Sequence, residues 1–235
     1  MKRHLVIWIS AIVALVLLGA IPLTRRFRLA LLAPSELAAK RLAPPLVDSC
    51  DQIQRIFAGY PNLKPVRNTN PLSADDVAIY QDVIESWNSG SPGLLNVSNR
   101  TYPIEHEVPD CGCLKGIEVQ SIADAARSFH VLTTGLLRGR AIRLVDADKR
   151  AVIVRSNDPG NSTHEGEPIG TVVSGAFSRG LFSMSEVAFD KDHRRALVSY
   201  SFVCGSLCGS GGMWLFEKVD GVWKKSDRVC GGWVS

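Results

Sequence analysis

The chain has 235 residues, 46% apolar and 21% charged, which suits one folded domain with an appendage and excludes whole-chain disorder. Its formal charge of +4 is uneven: residues 1–45 carry seven Lys/Arg and one acid (+6), the remainder 20 basic and 22 acidic residues (−2). A nearly neutral domain lacks the clustered Lys/Arg of a phosphate-binding face, so nucleic acid is not expected as a partner.

From Leu5 to Leu23 the chain runs nineteen residues without a charge, between Lys2/Arg3 and Arg25, Arg26 and Arg28. As a helix this stretch reaches about 28 Å, close to the hydrocarbon thickness of a bilayer. The rival reading is a cleaved signal peptide, whose apolar region is usually shorter and ends in small residues; Leu18 and Ala20 fit that cut poorly. The expected organisation is a transmembrane anchor over 1–28, a Pro-marked linker over 29–45 and one domain over 46–235. Basic residues flank the apolar stretch almost equally and do not orient it. Six cysteines favour an oxidising compartment, hence a single-pass protein of the inner membrane with its C-terminal domain on the extracytoplasmic side.

Within the domain, Ser49–Phe57 reads as a helix with Ile53, Ile56 and Phe57 on one face. Ser73 and Asp76 form a capping-box pair ahead of Val77, Tyr80, Val83, Ile84 and Trp87 at helical spacing. Leu94–Thr101 suggests a strand, and Ser121 with Asp124 the start of a helix lined by Ala125, Phe129, Leu132 and Leu136. Two strands are expected at Ala141–Val145 and Ala151–Arg155, joined by the turn Asp146–Arg150. Next come an exposed loop over Asn157–Glu167 and a short helix over Ile169–Phe182. The C-terminal third is β-like: Val187–Phe189, then Ala196–Val203 with period-2 alternation, a glycine-rich loop, Met213–Val219, the hairpin signal Asp220–Gly221, and Val222–Val229. Helices first and strands last give an expected α+β fold, an N-terminal transmembrane helix followed by helices packed on a C-terminal antiparallel meander. That layout resembles cone-shaped nuclear-transport-factor-like domains, by pattern alone.

The C-terminal block also resembles a family of exported bacterial proteins with no assigned activity. The residues concerned are Ser185–Phe189, Cys204-Gly205, Leu207-Cys208-Gly209, Gly211, Leu215, Lys218, Gly221, Trp223 and Trp233-Val234-Ser235. The resemblance implies an exported domain ending in a β-meander and carries over no catalytic residue.

Cys50, Cys111, Cys113, Cys204, Cys208 and Cys230 are the disulfide candidates, and their 15 pairings stay open in the sequence. A local Cys204–Cys208 bridge would pin a hairpin tip, and Cys230 could instead reach one of the two. Thiol exchange fits less well, because neither Cys111-Gly-Cys113 nor Cys204/Cys208 has the two-residue spacing of thioredoxin-type motifs. Zinc held by the 111/113 and 204/208 pairs meets the usual spacing at one pair only. A papain-like nucleophile fails, since no His follows Cys208.

His106 and His164, next to glutamates in expected loops, read as solvated; His130, on an apolar helix face, as a core or boundary residue. Asp190 and Asp192 fall short of a calcium loop. Glycines 205, 209, 211 and 212 are more simply a tight turn than an anion nest. Trp87, Trp214, Trp223 and Trp233 with Tyr200 and Phe216 suggest an aromatic cluster, as core or as a concave ligand pocket. No catalytic residue, metal ligand or cofactor is expected. The reading is a membrane-anchored binding or interaction module for an unidentified protein or small molecule. The alternative is a thiol-redox or metal-binding protein using the Cys204/Cys208 loop.

Overall fold

A computed structural model describes residues 46–49, 51–52, 54–55, 64–87, 94–104, 111–135, 141–206 and 208–235. All of them belong to one compact unit, residues 45–235.

The first elements are β1 (Val66–Arg67), α1 (Ala74–Ser86) and β2 (Leu95–Ser98). Helix α1 starts at the expected capping box: Ser73 Oγ accepts the Asp76 N–H at 3.1 Å and the Asp76 carboxylate accepts the Ser73 N–H at 2.9 Å. Its buried face is Ile79, Tyr80, Val83 and Ile84. Of the expected helix at 49–57, residues 51–52 and 54–55 are helical; Ile53, Ile56 and Phe57 lie outside the described residues.

A 3-10 turn (Cys111–Cys113) precedes α2 (Val119–Ala125) and β3 (Ser128–Phe129). The helix expected from Ser121 past Leu132 therefore ends early. Arg127 Nε reaches back to the Ala123 carbonyl at 2.9 Å, and Ser128–Phe129 then pair in parallel with Val66–Arg67. Strand pairing claims Phe129, so His130 sits beyond a strand and not on a helix face.

After β4 (Ile142–Val145) come three helices, α3 (Ala147–Ser156), α4 (Pro159–His164) and α5 (Ile169–Arg179). The expected strand at 151–155 is thus a helix. Asp146 accepts the N–H groups of Asp148 and Lys149 and caps it, while Val152 and Ile153 stay exposed and Val154 is buried. The expected loop at 157–167 holds α4, capped by Asp158 with Pro159 at its first position. Asp158 also accepts the Ser206 N–H at 2.5 Å, tying α4 to the β-hairpin that follows. Hydrogen bonds from the Ser206 hydroxyl, the Ser206 N–H and the Gly160 N–H hold its carboxyl below the ordinary range.

The remaining strands are β5 (Leu181–Met184), β6 (Ala188–Phe189), β7 (Arg195–Gly205), β8 (Cys208–Val219) and β9 (Val222–Val234). The main sheet runs β4-β2-β5-β7-β8-β9, and β6 pairs with β7. Its β4, β2 and β5 strands are parallel, while β5, β7, β8 and β9 are antiparallel. Asp220 and Gly221 take φ of 53° and 79°, the left-handed pair that a two-residue hairpin requires.

The expected fold class is therefore corrected: the sheet is mixed and the helices are interleaved with the strands. Parallel neighbours cannot be joined by a hairpin and need a crossover: β2 connects to its neighbour β4 through α2 and β3, and β4 connects to β5, on the other side of β2, through α3, α4 and α5. No helix among the described residues is long and apolar enough to cross a membrane. A span needs about 20 apolar residues, and the stretch Leu5–Leu23 read as a transmembrane helix lies outside the described residues.

The period-2 pattern of β7 places a core on each face. Ala196, Val198, Phe202 and Cys204 join α1, α5 and Phe216 in one. Leu197 packs on the other side with Met213, Leu215, Ile117 and Ile122. Gly180 sits where a Cβ would come within 2.3 Å of the Phe202 ring, so α5 ends against β7 only without a side chain there.

Candidate functional site

Strand β9, at the end of the sheet, departs twice from its ladder with β8. Gly212 pairs with Gly232 and Trp214 with Val229, so Met213 faces two residues; Phe216 pairs with Lys225, so Leu215 faces Ser226, Asp227 and Arg228. Such bulges bend a strand and interrupt its ladder. Gly231, at φ 107°, supplies backbone geometry that a side chain disfavours. At Gly212 a Cβ would lie 2.7 Å from the Gly231 carbonyl oxygen, so the strands approach closely there.

Between the bulges opens a groove of about 450 Å³, lined by Tyr200, Met213, Trp214, Lys225–Arg228 and Cys230–Gly232. Tyr200 and Trp214 are diagonal neighbours on one face, their ring centroids 4.2 Å apart. The Lys225 ammonium lies 4.0 Å from the Trp214 centroid, a cation–π contact. Burial pushes the Tyr200 phenol above its ordinary value, so it stays neutral and can donate a hydrogen bond. Burial and the neighbouring Glu85 raise the Asp82 carboxyl on α1, with the Ser86 hydrogen bond and the Lys225 charge opposing them. Two tilted aromatic rings, 40° apart, with a cation over one of them and a strand whose ladder is broken beside them, suit binding.

Two disulfides fix this region. Cys113–Cys230, Cα atoms 5.7 Å apart, joins the 3-10 turn to β9 across 117 residues, and both cysteines are buried. Cys204–Cys208, Cα atoms 5.1 Å apart, closes the β7–β8 turn. Cys230 thus pairs with Cys113 and not with the hairpin cysteines. With Cys113, Cys204 and Cys208 oxidised, the four-thiolate zinc set does not form. Cys50 lies outside the described residues, and Cys111 is described by its backbone alone.

The other sequence candidates disperse. His106 lies outside the described residues, and His164 is exposed at the end of α4. Asp190 accepts the N–H groups of Arg194 and Arg195 and shapes a turn. Glycines 209, 211 and 212 are strand residues of β8, not a loop; Trp233 covers Gly211. Trp87, Trp223 and Phe216 share one hydrophobic core, with Tyr200 and Trp214 packed against it, as the core reading expects; Trp233 is exposed and outside it. Trp87 packs on Phe182 and Phe202, Trp223 on Phe189, and Trp214 on Tyr200. Among the described residues no group of three or more His, Cys, Asp or Glu side chains could hold a metal ion.

His130 is buried beside Glu186, its Nδ1 2.7 Å from Glu186 Oε2. The sequence reading passed over Glu186; a lone acid before the apolar run Val187–Phe189 was the available signal. Lys225 and the bulge residues were also missed, although Ser226-Asp227 and Gly231-Gly232 interrupt the β pattern.

The structure thus defines a disulfide-linked mixed α/β domain with an open aromatic groove at its outermost strand. Compared with known families, curated proteins and solved structures, the chain matches none.

Proposed function

We propose that the chain is a binding module of an oxidising, extracytoplasmic compartment, held at the cell membrane by its apolar N-terminal segment. The observation that carries the binding reading is the Tyr200–Trp214 pair with Lys225 over it, open beside the bulged end of β9. The ligand offers a flat apolar face to the rings and hydrogen-bonding groups to the interrupted strand, as a sugar or a short extended peptide does. The two disulfides support the compartment.

Glycan and peptide arrays probed with the full chain, oxidised and in detergent, test the binding reading against Trp214→Ala and Lys225→Ala. Loss of captured ligands by at least about tenfold in Trp214→Ala, about 1.4 kcal/mol, with the disulfide map intact, is the expected outcome. Unchanged capture by both variants refutes the groove. Alkylation of intact cells tests the compartment separately: Cys113 and Cys230 react only after reduction, and reaction without a reductant refutes it.

A further inference from the structure

A second cavity, of about 260 Å³, opens between the residues that follow β1 and those that follow β3, lined by Arg67–Leu72, His130 and Val131. The wall is held by parallel pairing: the Asn68 N–H donates to the Phe129 carbonyl at 2.8 Å, continuing the β1–β3 register. A cavity of this size suits a small molecule better than a polymer.

His130 is fixed on three sides. Its Nδ1 lies 2.7 Å from Glu186 Oε2, and its backbone N–H donates to Glu186 Oε1 at 2.8 Å. The Thr101 hydroxyl also donates to Oε1, and the Thr101 N–H donates to the His130 carbonyl at 2.9 Å. A carboxylate accepting these donors keeps the imidazole proton on Nδ1 and presents the Nε2 lone pair outward. Nε2 has no partner among the described residues, yet it is not sealed from solvent. A purely structural staple has no use for that nitrogen. Arg67, on the same cavity, makes no ion pair among the described residues, and no acid lines the wall.

We propose that this cavity binds a small oxyanion, a carboxylate or a phosphate, between Arg67 and His130, with one proton taken up at Nε2. The proton comes from solvent or from the ligand's acid form, and no covalent bond to the ligand is made. Nε2–H then donates to the anion, the imidazolium charge is balanced by Glu186 behind the ring, and Arg67 supplies the second cation. Proton uptake on binding makes the affinity fall as pH rises. Glu186 contacts the ring, Arg67 lines the same cavity, Arg100 bridges Val131 through the backbone, and Tyr80 interacts with Glu186, Asp76 and Tyr102. Arg100 is engaged by Asp148 at 2.7 Å. Burial, with Glu186, Asp76 and Tyr102 adding to it, raises the Tyr80 phenol far above its ordinary value, so it does not compete for the proton. Glu186 acts here as a positioning residue.

The test is a nitrogen-detected titration of the imidazole resonances of the full oxidised chain in detergent, with acetate and with inorganic phosphate as probes. His130 is assigned by loss of its signals in His130→Asn. The expected result is that either anion, at millimolar concentration, shifts His130 Nε2 to its protonated position. The affinity should fall with pH and weaken about tenfold, about 1.4 kcal/mol, in Arg67→Gln. Arg67 is exposed, so that variant keeps the fold even if His130→Asn does not. A response to one anion and not the other identifies the oxyanion. Absence of a response to both, or an equal response in Arg67→Gln, overturns the proposal and leaves the pair a structural contact.

Discussion

Asp75 illustrates how one side chain joins distant parts of this chain. At the start of α1 it accepts Lys218 Nζ at 2.8 Å and Trp223 Nε1 at 2.9 Å, binding the helix to the β8–β9 hairpin. Burial pushes its carboxyl up, but the Lys218 and Trp223 hydrogen bonds and the Lys218 and His193 charges outweigh it, holding the group below the usual 3.8. A carboxyl with a lowered folded value stabilises the fold above its unfolded value. That contribution disappears as pH falls through the folded value. Asp75→Asn should cost about 1–2 kcal/mol at pH 7, a partly exposed site setting the modest size. The cost should shrink below pH 3.8, the ordinary value. Urea denaturation of both proteins at neutral and acid pH measures it, and a cost independent of pH refutes the ion-pair account.

At the scale of elements, the two disulfides constrain very different lengths of chain. In the chain-entropy view, closing the 117-residue separation of Cys113 and Cys230 stabilises by about 5 kcal/mol, and the four-residue separation of Cys204 and Cys208 by about 2 kcal/mol. Cys113→Ser with Cys230→Ser should therefore lower Tm well beyond Cys204→Ser with Cys208→Ser. The reverse order, read by thermal melts of the oxidised double variants, would mean that native packing and not chain closure dominates. The elements themselves were unevenly legible. The box at Ser73 and Asp76 and the hairpin at Asp220–Gly221 are local chemistry, and the fold keeps both. Ala151–Arg155 was misread because its β-branched run looks like a strand, while the cap at Asp146 makes it a helix.

For the whole molecule, the sheet is buried on both faces along β7. Leu197→Ala opens the core around Leu215 and Ile117, and Val198→Ala opens the one around α1 and Phe216. The expected costs are about 3 kcal/mol and about 2 kcal/mol, each with a single cooperative transition in denaturant. A variant that melts in two steps would show that the two cores fold independently. Both candidate sites are also products of this scale. The groove needs β9 to be the outermost strand and to bulge, and the His130 cavity needs β1 and β3 to pair across 62 residues of sequence.

The sequence by itself determined what depends on neighbours along the chain. That covers the charge division at residue 45, the even cysteine count, the capping box, the hairpin turn and the alternation from Ala196 to Val203. The tertiary structure decided what depends on partners far away in sequence. These are the parallel pairing of β2 with β4 and β5, the end of α2 where β3 finds β1, the Cys113–Cys230 bridge, and Glu186 beneath His130. The reason is physical. A cap or a turn is settled by hydrogen bonds within four residues, whereas a buried carboxylate or a strand edge takes whatever partner the rest of the fold delivers.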